Sequence, residues 1–264
     1  MADFLDTLAR DAIKTVMSGY YNIENDENVR RYHVSLKASI KMFKHAPVIA
    51  EVKPRSPSHG VLREISSLGD VVKAMERGGA VGISVLTEPK HFGGSLKVLK
   101  EVRTHTKLPI LMKDIVVDSA QITAASKFGV DAVLLIYAVF KRGYMNCSLE
   151  EAIKLVHKFG LEVVLETHTR DEFIAALKTN ADILGINNRD LNTLKVDLKV
   201  TEQVLAGIKN CGRVVVSESG IQNANDIRFL RACGADAFLV GSVIMLAKDV
   251  EAKVRELVHA YENG

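Results

Sequence analysis

Five charged side chains sit at or near the ends of short apolar runs, where an unpartnered charge is costly. Glu51 and Lys53 lie in Val-Ile-Ala-Glu51-Val-Lys53, Lys113 follows Pro-Ile-Leu-Met, Glu166 follows Val-Val-Leu, and Glu218 follows Val-Val-Val-Ser. Glu51 and Lys53 are two apart, so on a strand they point the same way. A buried ion pair is a poor stability device, which favours a chemical role over a structural one. An amine desolvated by Ile-Leu-Met and flanked by Asp114 suits a general acid, as Lys113 would be. Glu166 could cap the next helix, a task equally open to His168 or Thr169. Asn187 and Asn188 end another run; a side-chain amide there can bind substrate, although Asn188 reads as a turn-former. Arg189 is a candidate anion clamp.

A second group is small rather than charged. Ser217-Glu218-Ser219-Gly220-Ile221 and Val240-Gly241-Ser242 each close an apolar run near the C-terminus. Small residues let backbone N–H groups approach a ligand, and a following helix N-terminus attracts anions. Ser56, Ser58 and Gly60 could add contacts to a phosphate. His59, His91, His105, His157 and His168 show no two-ligand helical spacing, so no catalytic metal is expected. No Gly-x-Ser-x-Gly elbow or P-loop is present.

These groups need a scaffold that brings strand ends together. From residue 47 onward, strand candidates at 47–53, 81–86, 109–113, 132–136, 162–166, 183–187, 214–218 and 237–241 alternate with amphipathic helical stretches. Their near-continuous Val/Ile/Leu content means parallel strands buried on both faces. Asp118 and Asn223 are good N-caps, and Gly129 and Gly234 good helix stops. Gly129-Val-Asp131-Ala, Asn180-Ala-Asp182-Ile and Gly234-Ala-Asp236-Ala form an internal repeat about 50 residues apart, the length of two β/α units. Gly79-Ala-Val-Gly is a degraded fourth copy. An open doubly wound sheet would carry a Gly-rich first turn; here that turn is Pro-Arg-Ser-Pro-Ser-His. The pattern predicts an α/β protein, a (β/α)8 TIM barrel. Residues 1–46, with apolar stripes at Phe4, Leu5, Leu8 and at Ile40, Phe43, read as an N-terminal helical extension of one domain spanning 1–264.

The bulk properties fit. The chain has 264 residues and a formal net charge of only +3 without a long basic block, which argues against nucleic acid as main partner. No apolar run approaches membrane-spanning length. Cys147, Cys211 and Cys233 are odd in number and widely spaced, as reduced thiols in a cytoplasmic protein would be. The N-terminus lacks the apolar core of a signal peptide.

In this order, the residues resemble the indole-3-glycerol phosphate synthase family over nearly the whole chain. The likeness rests on Glu51-Val-Lys53-Pro-Arg-Ser56-Pro-Ser58-x-Gly60, Ser84-Val-Leu-Thr87-Glu88 with Phe92-x-Gly94-Ser95, and Lys113-Asp114. It continues through Leu165-Glu166, Gly185-Ile-Asn187-Asn188-Arg189-Asp190-Leu191, Ser217-Glu218-Ser219-Gly220-Ile221 and Gly241-Ser242. Ile115 departs from it, standing where the family usually has Phe. The resemblance implies closure of an indole ring in tryptophan biosynthesis, with loss of CO₂ and water, from 1-(2-carboxyphenylamino)-1-deoxyribulose 5-phosphate. It implies catalytic roles for Glu51, Lys53, Lys113, Glu166, Asn187 and Glu218. Lys113 would protonate the ketone oxygen, Lys53 with Glu51 and Glu166 would share the acid and base work of dehydration, and Glu218 would hold substrate and position a lysine. Ser56, Phe92, Arg189, Ser219, Gly220, Gly241 and Ser242 would bind substrate, chiefly its phosphate. No metal or cofactor is implied, the partner is a phosphorylated small molecule, and a monomer is expected over an oligomer. Another phosphosugar barrel, such as a phosphoribosyl isomerase, or a non-catalytic phosphate-binding barrel remain the alternatives.

Overall fold

Eight apolar runs become eight parallel strands that close on themselves. They are β1 (Val48–Val52), β2 (Gly82–Leu86), β3 (Ile110–Lys113), β4 (Ala132–Ile136), β5 (Glu162–Thr167), β6 (Ile183–Asn187), β7 (Val214–Glu218) and β8 (Ala237–Val240). Each pairs with the next, and β1 closes the ring against β8 through Val48↔Phe238, Ile49↔Leu239 and Ala50↔Val240. This is the TIM barrel. The computed structural model describes all residues except 1–2, 24–32, 57–59, 62–66, 192, 209 and 263–264, and the side chains of Ser56 and Val61.

Strand after strand, residues alternate between the barrel interior and the surrounding helices. Ile49, Leu111, Leu134, Val164, Ile183, Val214, Val216, Ala237 and Leu239 form one buried cluster inside the barrel. Their sequence neighbours pack outward against helices such as Leu68–Arg77, Leu149–Lys158 and Val250–Val258. Two further helices, Phe4–Met17 and Leu36–Met42, belong to the N-terminal extension. Leu5, Leu8, Leu36 and Ile40 join the interior cluster, so the extension plugs the barrel rather than lying on its flank.

The repeated aspartates have a shared task at the N-terminal rim. Asp131 accepts the Ile110 N–H at 2.9 Å, Asp182 that of Val163 at 2.9 Å, and Asp236 that of Val215 at 2.9 Å. Each thus binds a backbone donor near the start of the preceding strand that would otherwise be buried without a partner. The degraded copy keeps only the backbone bond, Val81 N to Val48 O at 2.8 Å. Asp118 and Asn223 cap their helices as expected, and Gly129 (φ 68°) and Gly234 (φ 108°) end theirs in the left-handed conformation.

Candidate active site

Alternation that is apolar in the middle of the barrel turns polar at its C-terminal end. Moving two residues along each inward row leads from Ile49 to Glu51 and Lys53, from Leu111 to Lys113, and from Val164 to Glu166. The same step leads to Asn187 on β6, Glu218 on β7 and Gly241 after β8. Side chains from five strands, with Gly241 just past the end of β8, therefore carry the candidate chemistry.

Lys113 is the hub. Its Nζ donates to Glu166 Oε2 at 3.1 Å and to Glu218 Oε2 at 2.5 Å. Burial pushes the ammonium down, but Glu218, Glu166 and Glu51 outweigh it and hold the pKa above the usual lysine range. Burial would raise Glu166, yet Lys113, His168 and Asn187 keep it below its ordinary value. Glu218 moves the other way: burial raises it despite the ammonium beside it. One carboxylate in this trio is thus held ionised while the other is driven towards its neutral form. Glu166 Oε1 also accepts from Asn187 Nδ2 at 3.1 Å.

Lys53 and Glu51 make a second unit, with Nζ 2.8 Å from Oε1 and the carboxylate almost wholly buried. A methyl carbon at Gly241 would lie 2.5 Å from that same Glu51 oxygen and 3.2 Å from the Glu51 Cβ. Glycine at 241 therefore makes room for Glu51. Gly185 does the same for Glu218, whose Oε1 would be 2.5 Å from an added Cβ. Reading Gly241 only as a place for backbone amides to meet a phosphate overlooked this contact.

Both lysines face a cavity of about 570 Å³. Phe4, Leu5, Leu8, Phe92, Ile115, Leu134 and Ile136 supply apolar wall, while Ser219, Gly220, Gly241 and Ser242 lie in the lining contributed by the β7 and β8 loops. Arg189 also lines it, with its guanidinium on the Leu194 carbonyl at 3.0 Å. The Phe92 loop is fixed by Glu88, whose carboxylate accepts the N–H groups of Lys90, His91 and Phe92 at 2.9, 2.7 and 3.1 Å.

Not every candidate reaches the cavity. Glu218 is fully buried behind Lys113 and is absent from the lining. Asn188 is a strut, donating to Ser217 Oγ and Ser219 O and accepting from Thr201. Asp114 touches the cavity wall, but its hydrogen-bonding partners are Tyr21 Oη at 2.7 Å, Thr87 Oγ1 at 2.5 Å and its neighbour's N–H, not Lys113. Ser58 lies outside the described residues, as does the side chain of Ser56. Thr169, not Glu166, caps the helix Arg170–Ala176. Sequence reasoning passed over Phe4, Leu5 and Leu8 as wall residues, although their stripe was visible. It also left Glu88 without a task. Among the described residues, one group with metal-ligand geometry exists, His45, His259 and Glu262. It lies at the start of β1 and the chain's end, away from the cavity.

The fold and site define a (β/α)8-barrel enzyme built for acid–base chemistry, with two carboxylate-held lysines over an apolar pocket. The particular family follows from comparison with known proteins. The chain matches the indole-3-glycerol phosphate synthase family over residues 9–257, and it belongs to that family. It is 45% identical to the indole-3-glycerol phosphate synthase of Dehalococcoides mccartyi over 80% of this chain and 81% of that one. Identity is 40% to the enzyme of that name from Methanocaldococcus jannaschii, covering 94% and 92%, and 35% to that of Lachnospira eligens, covering 97% of each. Among solved structures, thiamine phosphate pyrophosphorylase from Pyrococcus furiosus superposes with a TM-score of 0.61 at 19% identity, over 86% of this chain and 98% of that one. That likeness is one of fold.

Proposed function

We propose that this chain converts 1-(2-carboxyphenylamino)-1-deoxyribulose 5-phosphate to indole-3-glycerol phosphate, a carboxy-lyase step of tryptophan biosynthesis, with the roles that follow. The observation that carries the reading is the pair of lysines, each on its own carboxylates, facing one cavity that is apolar on one wall and glycine-rich on another.

The ring carbon bearing the carboxylate attacks the ketone carbon, and the carbonyl electrons move to oxygen. Lys113, kept protonated by its carboxylates, gives that oxygen its proton. CO₂ then leaves, and the electrons of the broken C–C bond restore the aromatic ring. The apolar wall of Phe92, Ile115, Leu134 and Ile136 suits that ring. In the last step the new hydroxyl departs as water, taking a proton from Lys53, while Glu166, held ionised, accepts a proton from the methylene carbon beside the amine, and the electrons of that C–H bond form the new C=C bond. Glu51 holds Lys53, Glu218 holds Lys113, and Asn187 orients substrate beside Glu166. The phosphate sits among Ser219, Gly220, Gly241 and Ser242, with Arg189 completing the anion site. These steps are proton transfers and bond cleavages that the side chains can serve, so no cofactor is assigned.

The extension and barrel share the cavity, which supports one domain over 1–264. The three free cysteines suit a reducing cytoplasm, and among the described residues no helix is long and apolar enough to cross a membrane. The deciding experiment offers the synthetic substrate and follows indole fluorescence. Appearance of the product with release of CO₂ is expected; an intact substrate after prolonged incubation with folded protein would reject the reading.

A further inference from the structure

His168 has no place in the mechanism above, yet it is buried beside one of its reacting groups. It follows β5 directly and its side chain is only 12% exposed. Its Nε2 lies 3.2 Å from Glu166 Oε1, and its Nδ1 lies 3.8 Å from Glu172 Oε2. Neither ring nitrogen has a well-aligned hydrogen bond to any group, so the two carboxylates meet the ring as close charge contacts. The ring is held between the two carboxylates by the main chain, because the His168 N–H donates to Glu172 Oε2 at 2.9 Å and Thr169 caps the same helix. A neutral imidazole between two buried carboxylates would leave one of them facing a nitrogen lone pair. An imidazolium offers a proton to each.

We propose that His168 is a positioning residue that, as an imidazolium bridging Glu166 and Glu172, fixes the Glu166 carboxylate on Lys113 and Asn187 and keeps it ionised as pH falls. The inference rests on the assignment of Glu166 as base. Glu166 has two oxygens: Oε2 engages Lys113, and Oε1 engages Asn187 on the side that His168 approaches. Without His168, Oε1 keeps one neutral donor and the carboxylate is free to swing off Lys113. The groups facing this pair are Glu166 on β5, Glu172 on the following helix, Lys113 on β3, Asn187 on β6 and Glu218 on β7. Lys141, at the end of the helix Tyr137–Lys141, acts on Glu172. Burial opposes the charge on His168, but Glu166 and Glu172 overcome it and lift its pKa to about 9. His168 therefore stays charged throughout the range in which Glu166 must work.

Two measurements test this. In the unaltered protein, an NMR titration of the His168 ring should place its protonation well above pH 7; titration at or below about 6.5, the free imidazole value, would overturn the proposal. In His168→Ala, kcat at neutral pH should fall about 10-fold, the scale of one charge-assisted hydrogen bond, with KM nearly unchanged. The acid limb of its kcat–pH profile should move up by about one unit, because a cation beside a carboxylate has been removed. His168→Gln keeps a donor without the charge; it should recover plateau kcat but retain the displaced acid limb. A His168→Ala profile superimposable on the parent, while Glu166→Gln is inactive, sinks this inference alone. An active Glu166→Gln would instead sink the base assignment on which it stands.

Discussion

Gly241→Ala should damage the Lys53 unit while adding a single carbon. The new methyl would lie 2.5 Å from Glu51 Oε1, the oxygen that holds Lys53 at 2.8 Å. Restoring an ordinary 3.4 Å contact requires the carboxylate to retreat by about 0.9 Å. Glu51 cannot simply rotate away, since its Cβ and Cδ would also be 3.2 Å from the added carbon and its side chain is buried. A displacement near 1 Å in a catalytic constellation costs on the order of 10²-fold in rate. We expect kcat to fall by about that factor in the fluorescence assay. Product affinity should change less, because the proposed phosphate site also draws on Ser219 and Gly220 of the β7 loop, which the substitution leaves in place. The control is the Glu51→Ala background, where the same glycine substitution should add little further loss, as non-additivity requires for groups in contact. If Gly241→Ala kept kcat within about threefold, or if it added its full loss without Glu51, the steric argument would be wrong.

Three further outcomes follow from the same geometry. Lys113→Ala should lower turnover by about 10²-fold or more, the scale of a lost general acid, with substrate still bound; near-normal single-turnover chemistry would remove it from that role. Glu166→Gln should lose most turnover with a modest change in affinity, and activity within about threefold of the parent would make Glu166 a structural residue. Asp114 provides a stability prediction. Its pKa is raised by burial from 3.8 to about 6, even though Thr87, Tyr21 and the Ile115 N–H bond its charged form. A raised acid contributes stability that is fully present below the unfolded pKa and lost as pH rises through the folded one, so parent stability should fall relative to Asp114→Asn between about pH 4 and 6. The loss should be roughly 3 kcal/mol, two units at about 1.4 each. Urea unfolding of both proteins at several pH values checks it; a constant difference across that window would contradict the cause.

The strands were legible because they are buried on both faces. A strand of that kind must be a nearly continuous apolar run, so the expected bounds for β4, β6 and β7 coincide with the observed ones and the others differ by a residue or two. The same logic exposed the site: a charge that breaks such a run, as at Glu51, Lys113, Glu166 and Glu218, stands out in one dimension. Period-two alternation then placed Glu51 with Lys53, and the repeated aspartates marked the even-numbered strands. Pairing between strands was not legible. That Lys113 bridges Glu166 and Glu218, 53 and 105 residues away, depends on barrel closure and strand register, which no local pattern encodes. Asp114 was read as a companion of Lys113 from adjacency, but neighbours on a strand point to opposite sides, and its carboxylate bonds Tyr21 and Thr87 instead. Gly241 read as a phosphate residue and Gly185 only as part of a motif; only the packed barrel shows a carboxylate in the space where each side chain would be. His168 read as a rival helix cap for the same reason. Sequence determined which residues face inward and at which end of each strand. Tertiary structure decided which of them meet, because side-chain direction is a local property of the backbone and proximity across a closed barrel is not.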